Sequence, residues 1–239
     1  ALGVAFNHGE TLKHRLHPAQ TDLDKAWGSS IIAAIPTTLP LYRNIFGAVL
    51  NVSLPLTSMN QPDAQQLLEN AEIIASAEAV QTTLDRLADE IGKELGGTMP
   101  LVLAVMGGAV VFAGQLLPRL AFPLEFDYLH VTRYRGKTTG GAIEWRVLPG
   151  KNVVGRTVLV LDDILDEGAT LAAIRDKLLE LGASKVLAAV LTDKQNGLTK
   201  PIRADYVGLN VPDRYVFGFG MDVYGLWRNL PAIYALKIQ

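Results

Sequence analysis

The stretch Val158-Leu-Val-Leu-Asp162-Asp163-Ile-Leu-Asp166-Glu167-Gly168-Ala169-Thr170-Leu171 decides how this chain is read. The β-branched and leucine-rich run Thr157–Leu161 reads as a strand of the buried parallel type. It delivers two adjacent carboxylates, Asp162 and Asp163, at its carboxyl end, where open α/β sheets bind ligands. Asp166, Glu167, Gly168 and Thr170 then form the turn into a helix read at about Leu171–Leu181 and ended by Gly182. Backbone N–H groups at a helix N-terminus attract phosphate, and a glycine there lets the backbone approach the anion closely. Carboxylates beside a phosphate site need a further task, which sugar hydroxyls, a bound Mg²⁺ or a proton transfer would each supply. The plainer alternative makes Asp162 and Asp163 caps of the turn, with Asp166 and Glu167 as the acidic start of a helix.

Working outward, Val186–Leu191 is a second buried run, so strand, loop, helix and strand form a βαβ unit with a parallel sheet. Upstream, Leu101–Met106 is a short apolar run, Gly107-Gly108 a turn and Val110–Leu120 a helix. Ser76 reads as the cap of a longer helix, with Val80, Leu84, Leu87, Ala88, Ile91 and Leu95 at helical spacing and Gly96-Gly97 as the stop. Gln61-Pro62-Asp63 reads as an earlier helix start with proline in the first turn. Phe126–Tyr134 and Ala142–Leu148 have strand composition, and the polar, glycine-rich Arg135–Gly141 between them suggests a hairpin or a mobile flap.

Composition narrows the function classes. The chain has 239 residues, 49% of them hydrophobic and 19% charged, which favours a folded core over disorder. Twenty-two Lys+Arg against 24 Asp+Glu give a net charge of −2, without the basic bias of nonspecific nucleic-acid binders. With no cysteine, disulfides, thiolate metal sites and cysteine nucleophiles are excluded. The uncharged stretches Ala26–Tyr42 and Asn44–Pro62 are broken by Pro36, Pro40 and Pro55, which argues against membrane spans. No basic stretch followed by an apolar run opens the chain, so a cytoplasmic protein is expected. His8, His14 and His17 stand at irregular spacing, and a metal site there is a minor reading.

The full acidic string resembles the phosphoribosyl-pyrophosphate (PRPP) signature of the type I phosphoribosyltransferases. Four more segments follow in the family's order. Val105-Met106-Gly107-Gly108-Ala109 looks like the pyrophosphate-binding turn, Thr132-Arg133-Tyr134 like the start of the catalytic flap, and Leu191-Thr-Asp-Lys194 like the strand end that places a purine-reading lysine. Asp205–Asp222, with Tyr215-Val216 inside it and Trp227-Arg228-Asn229 after it, resembles the bacterial hypoxanthine-guanine branch. The resemblance covers Met59–Gln239, and Met59-Asn-Gln-Pro looks like a natural start, so residues 1–58 read as an extension of unknown role, foreign to the native enzyme on one reading.

The resemblance implies an α/β fold: a parallel-sheet core flanked by helices, a mobile flap, and a small hood contributing Lys194, Tyr215 and Asp222. It implies transfer of the phosphoribosyl group from PRPP to hypoxanthine or guanine, with xanthine not separable from them, releasing pyrophosphate. By the same resemblance Asp162 and Asp163 hold the ribose hydroxyls and serve Mg²⁺. Glu167, Gly168, Ala169 and Thr170 hold the 5′-phosphate, and Asp166 is the general base at purine N7. Gly107, Gly108 and Arg228 take pyrophosphate, Lys194 donates to the purine O6, Tyr215 stacks on the ring and Val216 reads the base edge. Arg133 and Tyr134 belong to the flap, and Asp222 binds a second Mg²⁺. A homodimer or homotetramer is implied, with no membrane or nucleic-acid partner.

Two departures stand out: Gly107 replaces the lysine or asparagine common in the pyrophosphate turn, and Ala109 replaces a glycine. The family often has a cis peptide in this turn, for which Met106–Gly107 is the candidate. Competing readings are a PRPP- or nucleotide-sensing regulator of the same fold that binds nucleic acid, and a Mg²⁺ receiver built on Asp162-Asp163. The regulator needs a basic face that the charge pattern does not show, and the receiver leaves the purine segments unexplained.

Overall fold

A computed structural model describes residues 63–133 and 143–237. Tyr134, the segment read as a flap and residues 1–58 lie outside the described residues. In chain order the elements are α1 (Ala64–Glu69), β1 (Ala71–Ala75), α2 (Ala77–Leu95), β2 (Leu101–Met106), α3 (Ala109–Leu116), a 3₁₀ turn (Leu117–Arg119), β3 (Glu125–Arg133) and β4 (Ile143–Val147). There follow β5 (Thr157–Leu165), α4 (Ala169–Glu180), β6 (Lys185–Gln195), β7 (Tyr206–Pro212), β8 (Val216–Phe217) and β9 (Ile233–Leu236).

Helix α2 forms where its sequence says it should. Ser76 Oγ accepts the Ala79 N–H at 3.2 Å, and one stripe from Val80 to Leu95 is buried. At α1 the cap is Asp63, which accepts the Gln65 N–H at 2.9 Å, and the helix itself starts at Ala64; Gln61 and Pro62 lie outside the described residues. Helix α3 ends before Pro118, and a 3₁₀ turn replaces its expected last turn.

The main sheet has the order β4-β3-β2-β5-β6-β7. All neighbours are parallel except the antiparallel β3–β4 pair. Helices α2 and α3 pack with Leu159 and Leu161 on one face, whereas α4 packs with Val158 and Val160 on the other. The chain leaves β2 toward β3 on one side, and leaves β5 toward β6 and β7 on the opposite side. A crevice opens at such a reversal of strand order, and here it falls between the carboxyl ends of β2 and β5. The β2–β5 ladder stops at Ala104↔Leu161, one residue before Asp162.

A second, small antiparallel sheet of order β1-β9-β8 joins the two ends of the described chain. Phe217 fills its core with Leu67 and Val223. Lys194 is not part of this small unit, contrary to the hood expectation. It is the tenth residue of β6, paired in register with Val211 of β7, because the β6 ladder continues past its apolar run. Among the described residues no helix is long and apolar enough to cross a membrane.

Candidate functional site

Three loops meet at the crevice, and Gly108 is their junction. Strand β5 extends through Asp162 and Asp163 to Leu165, four residues beyond its apolar run, because β6 keeps pairing with it as far as Leu165↔Asp193. The two carboxylates are thus on the strand itself. Asp162 is only 8% exposed, and its Oδ1 accepts the Asp163 N–H at 3.0 Å. The Asp163 carboxylate lies against Gly108, where an added Cβ would stand 1.8 Å from Oδ2. On its carbonyl side Gly108 meets Gly220, whose own Cβ would come within 2.1 Å of the Gly108 oxygen. The peptide Met106–Gly107 is cis.

The segment after Gly220 carries Asp222 and Arg228. Arg228 Nη2 pairs with Asp222 Oδ1 at 2.5 Å, and its Nη1 donates to the Gly220 carbonyl at 2.6 Å. Asp222 Oδ2 also accepts the Gly225 N–H at 2.7 Å. Thr192, fully buried on β6, donates to the Asp163 carbonyl at 3.0 Å.

Gly168 adopts φ +84° and ends the turn after β5, so that Ala169 and Thr170 open helix α4. Any side chain there would be strained by this dihedral and would crowd Lys200 and Pro201, both 3.3 Å from an ideal Cβ. The first-turn N–H groups of a helix have no partner within it, so those of α4 stand at the mouth of the turn. Asp166, half-buried just ahead of that turn, accepts a hydrogen bond from Lys194 Nζ at 2.9 Å. Asn196 Nδ2 donates to the Asp166 carbonyl at 3.2 Å and to its Oδ1 at 3.3 Å. The Asp166 and Lys194 side chains therefore meet.

Tyr215 is half exposed and stacks on Tyr224, ring centroids 6.0 Å apart and planes 16° from parallel. Val216 is buried and pairs with Ala235. Arg133 closes the described part of β3.

Sequence reasoning missed three contributors. Asn196 orients Asp166, Tyr224 covers one face of Tyr215, and Thr192 ties β6 to the acidic pair. Each is an ordinary loop or strand residue on its own. Only Tyr224, an aromatic two positions after Asp222, carried a readable signal.

Burial, followed by the Asp163 charge and the hydrogen bond to Asp163, pushes the Asp162 carboxyl well above its ordinary 3.8. Burial raises Asp163 as well, against the lowering effects of its bond with Asp162 and of the Arg228 charge. The folded chain therefore holds protons that the unfolded chain releases. Stability that these groups contribute at low pH is lost as pH rises from 3.8 through the raised value. Asp162→Asn removes the share of that dependence that Asp162 carries. In metal-free buffer, the melting temperature of the variant should climb relative to wild type as pH rises above the ordinary carboxylate range, and the two curves should converge at the acid end. The exposed carboxylates Glu72 and Glu125, held below their ordinary range chiefly by hydrogen bonds to Arg214 and Lys151, act in the opposite sense but cancel in this comparison.

Among the described residues no three carboxylates or histidines converge to hold a metal on their own. The hard oxygen donors of Asp162, Asp163 and Asp222 nonetheless suit Mg²⁺, which keeps few protein ligands and completes its shell with water and substrate phosphate.

Residues 70–224 match the family described as the phosphoribosyl transferase domain. The hypoxanthine-guanine phosphoribosyltransferase of Streptococcus thermophilus is 36% identical over 168 residues, spanning 70% of this chain and 93% of that protein. Its namesake from Bacillus subtilis is 33% identical with the same coverage. The crystal structure of a hypoxanthine phosphoribosyltransferase from Staphylococcus aureus is similar with a TM-score of 0.68 and 29% identity, covering 74% of this chain and 97% of its own. With the switch-point crevice, the acidic strand end and the glycine turn all in the matched region, the chain belongs to the phosphoribosyltransferase family, in the group that includes the bacterial hypoxanthine-guanine phosphoribosyltransferases.

Proposed function

We propose that this chain is a purine salvage enzyme that transfers the 5-phosphoribosyl group of PRPP to hypoxanthine or guanine. N9 of the base bonds to C1′ of the ribose as the C1′–oxygen bond to pyrophosphate breaks, and the base gives up one proton. The observation that carries this reading is the Asp166–Lys194 pair, 2.9 Å apart at the carboxyl ends of adjacent strands and directly ahead of the α4 turn. A 6-oxopurine presents an acceptor at O6 and an N–H at N7 side by side. Lys194 offers a donor to the first, and Asp166 offers an acceptor, and a base, to the second.

The other residues follow from their places. The turn at Gly168 and the start of α4, with the Thr170 hydroxyl, hold the 5′-phosphate. Asp162 and Asp163 hold the ribose hydroxyls, and the N–H groups of Gly107 and Gly108 face the departing pyrophosphate. Arg228 leaves Asp222 to receive that anion. Bound Mg²⁺ supplies positive charge to the leaving oxygens, with Asp222 and the acidic pair as its protein-side donors. Tyr215 covers the base, and Val216 reads its edge. Residues 59–239 carry the activity, in the cytoplasm and as a homodimer or homotetramer on this reading, and residues 1–58 are an extension.

Protein mixed with PRPP, Mg²⁺ and one nucleobase at a time should form IMP from hypoxanthine and GMP from guanine. Adenine, which places an amino group where Lys194 needs an acceptor, should give none. Absence of any nucleotide with the two 6-oxopurines would reject the proposal, and the xanthine tube decides whether that base is also accepted.

A further inference from the structure

Lys200 lies in the connection between β6 and β7, in a sequence context, Thr199-Lys200-Pro201, that reads as a solvated loop. The structure places it otherwise: its side chain is only 12% exposed. Nζ donates to the Leu165 carbonyl at 2.8 Å, to the Lys194 carbonyl at 2.7 Å and to Asp193 Oδ1 at 2.5 Å. An ammonium has three N–H donors, and all three are used. Its charge is matched by Asp193, itself 22% exposed. Lys200 is therefore not poised to bind an anion.

Its acceptors lie where the sheet ceases to hold the site together. The β5–β6 ladder ends at Leu165↔Asp193. Asp166 follows the last residue of β5 and Lys194 is the next residue of β6, so the two purine-facing side chains stand just past the last residues paired between these two strands. Lys200 bridges this gap: it grips the carbonyl before Asp166, the carbonyl of Lys194 itself and the carboxylate beside it. Its Cβ also backs the phosphate turn, 3.3 Å from where a Cβ on Gly168 would be.

We infer that Lys200 is a positioning residue that sets the Lys194 donor relative to Asp166, and thereby selects for an oxygen acceptor at C6 of the base. This rests on the proposed function, and wild-type turnover of hypoxanthine, measured first, tests that function separately. Lys200→Met keeps the length and apolar stem but removes the donors. It leaves Asp193 unpaired, and partly buried groups that lose a charged partner shift readily. With hypoxanthine, kcat/KM should fall on the order of tenfold, chiefly through the KM for the base, while the KM for PRPP changes by less than about twofold. Sulfur accepts hydrogen bonds weakly, so a displaced Lys194 should matter less to 6-mercaptopurine. The preference for hypoxanthine over this 6-thio analogue should shrink. Lys200→Gln, which restores a donor pair, should recover part of the preference, and it serves as the readout if the methionine variant does not fold. A lower melting temperature with an unchanged oxo-to-thio ratio in the folded variant would make Lys200 a stabilising residue only and overturn the inference.

Discussion

Asp166→Asn should lower turnover by about 10²–10⁴-fold, the usual contribution of a general base. The substitution preserves size and one oxygen and leaves the β5–α4 turn intact. It loses the carboxylate that meets Lys194 at 2.9 Å and that would take the N7 proton. PRPP affinity should change far less, because on the proposed reading the turn into α4, Asp162 and Asp163 would carry it. Steady-state kinetics together with direct PRPP binding separate the two effects. Weakened PRPP binding with normal turnover at saturation would make Asp166 part of the phosphate turn. Near-normal values for both would reduce it to an acidic residue beside a helix start.

Gly108→Ala should be strongly damaging. The new carbon would lie 1.8 Å from Asp163 Oδ2 and 2.4 Å from its Cγ, so the carboxylate or the turn must move. Neither can yield easily: Asp163 is tied by its N–H to Asp162 and by its carbonyl to Thr192, and Gly108 is backed by Gly220. Overpacking of this kind costs about 1–3 kcal/mol. A misplacement of about 1 Å at a reacting centre can cost on the order of 100-fold in rate. Both kcat/KM for PRPP and the melting temperature should therefore drop. Gly107→Ala is the control for stability, since nothing lies within 4 Å of its Cβ. Equal melting temperatures for the two variants would show that the turn can open and that the junction is softer than its geometry implies.

Features whose cause is local were legible in the sequence. Helix α2 follows from Ser76 and an apolar stripe, and the phosphate turn follows from one glycine between an acidic strand end and a helix. The reach of β5 was not legible, because Asp162 and Asp163 end the apolar run while the backbone goes on pairing with β6. For the same reason Lys194 was grouped with the hood, although register puts it on the core sheet. Strand β1 went unread: its five residues pair only with β9, at the far end of the chain. Asn196, Tyr224 and Lys200 escaped because each is polar, lies in a connection and finds its partners through folding. A lysine in a loop reads as solvated until three acceptors are found around it.

The bond between Lys194 and Asp166 makes recognition of the base an exchange. On the proposed reading, a 6-oxopurine would replace the one internal hydrogen bond with two of its own, O6 taking the lysine donor and N7–H the carboxylate. The net gain from polar contacts would then be small, and affinity would fall to ring stacking and PRPP. Discrimination is sharp by contrast. A base with an amino group at C6 would break the internal bond and leave the ammonium facing a donor, so that only the N7 contact would be regained and the lysine would stay without an acceptor. On this reading the wrong base would be rejected because it leaves the Lys194 ammonium without an acceptor.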